Sequence, residues 1–445
     1  MTFSFSLPIP VLRLIERLEQ AGHEAFAVGG CVRDLIRGTS PDDFDLTTSA
    51  LPHEISEIFS DCTVIETGIK HGTVTVLFDE TPYEITTYRT DGIYIDGRHP
   101  DSVSFSRSLT DDLARRDFTI NAMAYAPSVG LVDPFDGRGD LSRGIIRSVG
   151  DPSRRFTEDA LRILRAVRFA SRLGFTIEAD TAAAMVALEA RLTLVSPERI
   201  TSELFKALNG DHFEEVLLSY PTVFCRIIPE LKPLIAYDQN NPHHLYDLLT
   251  HSAKTVSALP RDAVLRLAGL LHDIGKPVSK SLDAAGISHY YQHAAIGADL
   301  ARDILTRLRL RNTDIHRVTT LLRYHDGVTE ESESAVKRRL NKLGTSLFFD
   351  LLTLQRADRI AQKGNPTASA SHIDLLFQIA NTVISKKECF SVASLAVNGY
   401  DMIRLGFIGK EIGEALAFLL EAVVDGKVKN EHEELLRYLI SRKKT

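Results

Sequence analysis

The stretch "FAVGGCVRDLIRGTSPDDFDLTTSA", residues 26–50, carries the reading that decides the fold. An apolar run reads as a strand, Gly29 and Gly30 follow it, and a helix is expected from about Cys31. Glycines ahead of a helix let backbone N–H groups approach a phosphate, and the positive end of the helix favours the anion. Arg33, in the first helical turn, adds a fork of donors. After a Pro-Asp-Asp turn, Asp43 and Asp45 stand two apart, alternating with Phe44 and Leu46. Residues two apart on a strand share a face, so the carboxylates are expected to project together while Phe44 and Leu46 turn to the core. Such close like charges are tolerable with a hard cation between them, and Mg²⁺ favours one or two carboxylates completed by substrate phosphates and water. An ordinary acidic turn is the competing reading of Pro-Asp-Asp taken alone. Beside the two glycines, the pair describes a place where a nucleoside triphosphate and Mg²⁺ meet.

Further β-type runs follow at "GTVTVLF" (72–78) and "YEITTYR" (83–89). The second puts Glu84, Thr86 and Tyr88 on one face. Glu84 is then either a third carboxylate that activates an attacking hydroxyl or a strand glutamate facing solvent. The aspartate pair would hold Mg²⁺ for in-line attack at the α-phosphate of a nucleotide.

The chain has 445 residues, 44% hydrophobic and 25% charged, which suits a soluble protein of three or four structural units. No run is long and apolar enough for a membrane helix, and "MTFSFSLPIP" lacks the marks of a secretory signal, so a cytoplasmic location is expected. Cys31, Cys62, Cys225 and Cys389 have no paired spacing, which leaves buried free thiols as the expectation. A net charge of −7 argues against a non-specific nucleic-acid coat. Even so, Arg143, Arg147, Arg154, Arg155, Arg162, Arg165, Arg168 and Arg172 face only Asp151, Glu158 and Asp159 in the same segment, a basic strip able to hold a phosphate backbone. From "RRFTEDALRILRAVRFASRLGF" onward nearly every long segment is helical in pattern, and "NGDH" and "DQNNPHH" are candidate joints.

Five ordered segments, "GGCVRD" with "DFDLTTSA", "LARRDFTINAMAY", "DPFDGRGDL", "EDALRILRAVRF" and "SPERITSELFKAL", resemble the class II tRNA nucleotidyltransferases, the CCA-adding enzymes of the polymerase-β superfamily. The resemblance spans about the first 210 residues. It implies an α+β head of the nucleotidyltransferase fold, a small mixed sheet with helices, followed by an all-α neck, body and tail. The expected divisions are 1–145, 146–215, 216–365 and 366–445. It also implies addition of C, C and A to tRNA from CTP and ATP, with Gly29, Gly30, Arg33 and Arg116 at the nucleotide, Asp43 and Asp45 on Mg²⁺, and Arg115 and Asp117 as supports. Asp159, Arg162, Arg165 and Arg168 match the family's nucleotide-reading helix. On a helix, Asp159 and Arg162 would be neighbours and act as one reader, with Arg165 and Arg168 turned toward phosphates or packing. Carboxylate accepts and guanidinium donates, which suits the amine and ring nitrogen that cytosine and adenine share. The segment "TDGIYIDGRHPDSVSFSRSLTDDLA" resembles the family's flexible loop, which favours full CCA or terminal A addition and leaves the choice between them open. The related bacterial poly(A) polymerases share the head motifs, but no strongly basic C-terminal tail is present here.

In the helical part, His251, His272 with Asp273 in "HDIGKP", His293, His325 and Asp358 follow an order that resembles the HD superfamily of metal-dependent phosphohydrolases. Imidazoles with carboxylates suit Mn, Ni, Co or Fe, which generate a hydroxide for attack on a phosphoester. A bundle that has kept its helices and lost its metal is the alternative. A chain whose main activity is this hydrolysis, with a regulatory nucleotide-binding head, is the rival overall reading.

Overall fold

The computed structural model describes residues 5–92, 103–238, 246–284, 288–363 and 370–443. Its contacts gather into two compact units, Met1–Lys232 and Pro233–Thr445. The expected head and neck fall within the first and the expected tail within the second, while the expected body, 216–365, spans the division.

The first unit is built on a mixed sheet of seven strands. They are β1 (Ala25–Val28), β2 (Asp45–Thr48), β3 (Thr63–Ile65), β4 (Thr73–Phe78), β5 (Thr81–Thr87), β8 (Ala124–Ala126) and β9 (Gly130–Val132), in the order β3-β4-β5-β2-β1-β8-β9. Only β2 and β5 run parallel. Strand β1 is buried at every position, which is why "AFAV" is apolar without alternation. On one side α1 (Ile9–Gln20) presents Val11, Leu14, Ile15 and Leu18 to the core at helical spacing. Phe26, Val28, Tyr88, Leu113 and Ala124 form a core cluster around β1 and β8. Tyr88, expected beside Glu84, lies just past the end of β5 and is fully buried in that cluster. Two short strands, β6 (Arg89–Asp91) and β7 (Val103–Phe105), pair with each other. Residues 93–102 of the segment that resembles the flexible loop are outside the described residues.

Helices α2 (Gly30–Ile36), α3 (Pro52–Ile58), α4 (Leu109–Ala114) and α5 (Gly137–Arg143) border this sheet, and α6 (Pro152–Glu158), α7 (Leu161–Leu173), α8 (Ala179–Ala187) and α9 (Pro197–Leu208) continue the unit. The "NGDH" turn is no joint. A Cβ on Gly210 would stand 2.2 Å from the Ser171 hydroxyl, and His212 N–H donates to Ser171 O at 3.0 Å, so the turn is clamped against α7. Beyond it, α10 (Phe213–Ser219) and α11 (Pro221–Ile227) stay with this unit, locked by the edge-to-face contact of Phe213 and Phe224. The other candidate joint, "DQNNPHH", follows the division between the units by a few residues; most of it is outside the described residues.

The second unit is helical apart from a short hairpin, Lys280–Leu282 with Ser288–Tyr290. Its first group is α12 (Leu248–Ala258), α13 (Ala263–Leu271), α14 (Lys276–Ser279), α15 (His293–Arg307), α16 (Asn312–Tyr324), α17 (Glu333–Leu343) and α18 (Thr345–Lys363). Val336, Leu340, Phe348 and Leu352 meet Ile373, Leu376 and Ala380 of α19 (Ser371–Ser385) in one core, and a separate core of Met402, Leu416, Leu419 and Leu435 joins the last helices. The α+β head followed by helices is therefore the observed class. Of the cysteines, Cys31 and Cys389 are buried, whereas Cys62 and Cys225 are only partly so.

Candidate active site

Strand β2 begins at Asp45, so Asp43 lies in the preceding turn and not on the same strand. Asp43 is exposed, and Asp45 keeps an exposed edge while protein encloses much of its carboxyl; Leu46 is buried, as expected, but Phe44 is only partly so. The turn has the Pro-Asp composition that keeps a chain out of the ladder, which is why the two-residue strand rule stops one position short. Parallel pairing of Leu46 with Ile85 runs β2 alongside β5, and one step back along that register stand Asp45 and Glu84. Loss of water around Asp45, together with the charges of Asp43 and Glu84, pushes its carboxyl up to about 6 against the pull of Arg116. A divalent cation would relieve that repulsion, so this set fits a metal site. Among the described residues, however, the groups of three ligands within 4.8 Å of one another all lie in the second unit, so a cation here would need further ligands, as substrate phosphates supply.

Asp43 and Asp45 line a cleft of about 780 Å³, and Glu84 is not among its lining residues. Gly29, at the start of α2, has φ +81°, a conformation that L side chains rarely adopt, and a Cβ there would stand 3.0 Å from the Arg116 guanidinium and push it aside. Arg33 donates to Asn121 Oδ1 at 2.8 Å and pairs with Asp34 at 2.8 Å. Arg115 and Arg116 both donate to Asp112, which is fully buried, at 2.7 and 3.3 Å. Burial pushes the Asp112 carboxyl up, but the two guanidiniums more than offset this and hold it below the usual range.

Asp159 and Arg162 line the same cleft but do not sit as neighbours on one helix. The helix breaks between Glu158 and Leu161, with Asp159 at φ −140°, ψ 105°, where its carboxylate accepts the Leu161 N–H at 3.0 Å and so starts the next helix. That carboxylate also takes Arg199 at 2.8 Å, while Arg162 donates to Glu158 at 3.0 Å and to Arg115 O at 2.8 Å. Arg165 donates to Asp117 at 2.7 Å, and Arg168 meets Glu203 at 3.1 Å. Burial pushes Asp117 up, yet Arg165 and the Asn121 amide hold it well below the carboxylate range. Burial, then the like charge of Arg165, lowers Arg168 to about 10.

The basic strip is correspondingly less free than its count suggested. Arg143 pairs with Asp136 and Asp140, Arg147 with Asp140 and Glu178, and Arg154, Arg155 and Arg162 all with Glu158. Most of those carboxylates come from outside the segment. Of the eight arginines, only Arg172 has no carboxylate within 4.0 Å among the described residues.

In the second unit the six HD-type residues come together around Asp273. Its Oδ2 lies 3.5 Å from His251 Nε2 and 3.2 Å from His272 Nε2, and its Oδ1 lies 3.6 Å from both His293 Nε2 and His325 Nε2. Asp358 Oδ1 is 3.0 Å from His251 Nε2. His272, His293 and His325 each direct Nδ1 at a backbone carbonyl, of Gly269, Tyr290 and Leu322, at 2.8, 2.8 and 2.6 Å. An Nδ1–H donated in this way leaves Nε2 as the ligand atom, the orientation that metal-binding imidazoles take, so the donor set fits a transition metal. Without a metal, burial lowers the His272 pKa, but Asp273 and Asp358 overcome it and raise it to about 10; both carboxyls are held well below their usual range. Lys276 adds its ammonium to Asp273 at 2.7 Å.

A family model described as the poly A polymerase head domain matches residues 25–147, one described as a probable RNA and SrmB-binding site of polymerase A matches 174–234, and one described as tRNA nucleotidyltransferase domain 2, putative, matches 288–439. A CCA-adding enzyme from Limosilactobacillus fermentum is 35% identical over 433 residues, 96% of this chain and 95% of that one. Another, from Geobacillus thermodenitrificans, is 36% identical over 439 residues, 98% of this chain and 97% of that one. The chain belongs to the CCA-adding enzyme family. Among solved structures, a Bacillus stearothermophilus CCA-adding enzyme in complex with CTP aligns with a TM-score of 0.72 at 31% identity, covering 98% of each chain. A Thermotoga maritima CCA-adding enzyme complexed with tRNA shares the fold, with a TM-score of 0.61 at 22% identity over 97% of this chain and 94% of that one. No helix of the described residues is long and apolar enough to cross a membrane.

Asn121, Phe169 and Arg199 line this family member's cleft, and Asp112 and Glu203 hold its arginines, yet none of the five was read from the sequence as part of a site. Asp112 and Asn121 lie in or next to "LARRDFTIN", and a buried acid three and four residues ahead of two arginines is the one local signal available. Arg199 and Glu203 reach the cleft only through the packing of α9 on α7.

Proposed function

We propose that this chain adds C, C and A to the 3′ end of tRNA from CTP and ATP. The observation that carries this reading is that one cleft gathers the Asp43–Asp45 carboxylates, the Arg33–Arg116 donors and the Asp159–Arg162 pair. A single nucleotide can then be served at its metal, its phosphates and its base edge. Asp43 and Asp45 would hold Mg²⁺, which supplies charge neutralisation at the phosphates and lowers the barrier to displacement there. Glu84 accepts the proton of the tRNA 3′-hydroxyl as that oxygen bonds to the α-phosphorus, the bond to the bridging oxygen breaks, and pyrophosphate leaves. Gly29, Gly30, Arg33 and Arg116 seat the triphosphate, with Arg115 and Asp117 as supports. Asp159 accepts from the exocyclic amine and Arg162 donates to the ring nitrogen, each giving up a present partner, Arg199 or Glu158. Arginines of the first unit hold the acceptor arm by its backbone, by shape more than by sequence. The CTP bound by the 31% identical relative favours addition of C as well as A. Incubation of tRNA ending at the discriminator base, and at CC, with CTP and ATP singly and together tests this. Extension by C, C and A is expected; extension of the CC-ended substrate alone would leave A addition only.

The gathering of six ligand-type side chains, with Asp273 among four imidazoles and Asp358 against His251, supports a second reading, hydrolysis of a phosphoester by a Mn, Ni, Co or Fe centre held by His251, His272, Asp273, His293, His325 and Asp358. A 2′,3′-cyclic phosphate or a phosphate left on a damaged tRNA end is the substrate expected. Purified protein is expected to bind the metal and hydrolyse such a substrate, and His272→Ala with Asp273→Ala to lose both. Full hydrolysis in that variant would remove the cluster from consideration.

A further inference from the structure

Three guanidiniums of the cleft surround one aromatic ring. The Phe169 ring centroid lies 4.0 Å from the Arg168 carbon, 5.2 Å from that of Arg33 and 5.6 Å from that of Arg165. Arg165 and Arg168 share α7 with the ring, but Arg33 reaches it from α2. Arg33 donates to Asn121 and Arg165 to Asp117, while Arg168 forms an ion pair with Glu203 of α9. Phe169 is 6% exposed, and its own position is set by Phe118, fully buried and edge-on at 5.8 Å and 83°. Phe118 follows Asp117 directly, so ring, acceptor and arginines belong to one packed assembly.

Three cations around a common point repel one another, and their partners come from the 117–121 segment, from α9 and, for Arg33, also from its neighbour Asp34. An aromatic face attracts cations through its quadrupole and sets a stacking distance for a planar guanidinium. A leucine in its place would fill space without giving any of the three a surface to rest on. Arg33 is the group on which triphosphate binding rests in the function proposed above, and the inference here rests on that reading. We infer that Phe169 is a positioning residue for the triphosphate, holding Arg33, Arg165 and Arg168 at the spacing the phosphates require. Asp159 and Arg162, the base-reading groups, have their partners elsewhere and do not depend on it.

The test uses the full chain with Phe169→Leu and Phe169→Met, which keep bulk and remove the aromatic face, and Phe169→Tyr, which keeps the face. Loss of the face is expected to raise KM for CTP and ATP alike by about tenfold with kcat within about twofold, and Phe169→Tyr to stay near the wild-type KM. Preference for CTP and ATP over UTP and GTP should be unchanged in all three. An unchanged KM in Phe169→Leu or Phe169→Met, or a loss confined to kcat and thermal stability, overturns the inference. So does lost base preference, because it would place the ring with the reader. Arg33→Gln separates the two levels. If it leaves KM unaltered, the nucleotide-site reading itself has failed; if it raises KM while Phe169→Leu does not, only the role of the ring has failed.

Discussion

In the cleft of the first unit, Arg162, Arg165 and Arg168 each meet a carboxylate and still line an opening of about 780 Å³. In the second unit, Asp273 is instead enclosed by imidazole nitrogens at 3.2–3.6 Å, and His251, His272, His293 and His325 are all buried. The first arrangement keeps positive charge in place with carboxylates that an incoming polyanion can outcompete. The second keeps negative charge in place with imidazoles that a cation can use once their protons are displaced. A wide, cation-rich cleft suits a ligand that brings its own charge and leaves again. A buried, donor-lined cluster, with His325 and Asp358 on a cavity of about 160 Å³, suits an ion that stays.

The largest effect that separates the two regions is expected from Asp43→Ala with Asp45→Ala. Incorporation of CMP and AMP into tRNA should fall by at least about a thousandfold, because both metal-type carboxylates at the reacting phosphate are gone. Metal bound at the histidine cluster, measured by elemental analysis of the purified protein, should not change. If incorporation survives, the cleft is not where the chemistry occurs and the contrast between the regions loses its first half.

Next in size is Asp117→Asn, which leaves Arg165, about a third of its side chain exposed, without its counter-charge and should cost about 1 to 2 kcal/mol at neutral pH. The sign of the pH dependence follows from the direction of the shift. The folded-state carboxyl lies well below its unfolded value near 4, so the ion pair contributes above that pH and its contribution fades as pH falls further. Urea unfolding of wild type and variant should therefore differ by a constant amount from pH 7 to about pH 5, and the gap should begin to narrow only below about pH 4. A gap that does not narrow below about pH 4 would mean that the Asp117 charge is not what holds Arg165.

How much of this was legible beforehand depends on how local the cause is. The strand, two glycines and helix at 25–36 could be read because each signal lies within a few residues. The order of His251, His272, Asp273, His293, His325 and Asp358 was also legible, since each residue is a chemically distinctive type, although the distances that unite them are not in the sequence. The arginine strip misled for the opposite reason. Charge counted along 143–172 omits Asp117, Asp136, Asp140, Glu178 and Glu203, which folding brings to it. The break at Asp159 was hidden in "EDALRILRAVRF", which has no proline or glycine. Its one signal is an aspartate just ahead of an apolar periodic run, where such residues cap helices.

A smaller effect is expected from Asp159→Ala, and it sharpens the account of the cleft itself. Asp159 is already bound to Arg199, so the triphosphate should still seat while the acceptor for the exocyclic amine is gone. Preference for CTP and ATP over UTP and GTP should drop by about tenfold or more, with KM for CTP changing less. Unchanged discrimination would assign base reading to other groups of the same cleft.

The smallest effect concerns which arginines are available to a phosphate backbone. Arg172, in the last turn of α7, lines the cleft with no carboxylate within reach among the described residues, whereas the equally exposed-looking Arg154 is tied to Glu158 at 3.1 Å. A guanidinium that must first leave a carboxylate gains less from a phosphate, and the carboxylate it leaves repels the same phosphate. Arg172→Gln should therefore reduce the slope of log affinity for tRNA against log salt by about 1, and Arg154→Gln by clearly less. Nitrocellulose filter binding across a salt series measures both slopes. Equal reductions would show that the Arg154–Glu158 pair opens at no net cost, as exposed ion pairs can, and that the paired and unpaired arginines of α6 and α7 act as one strip after all.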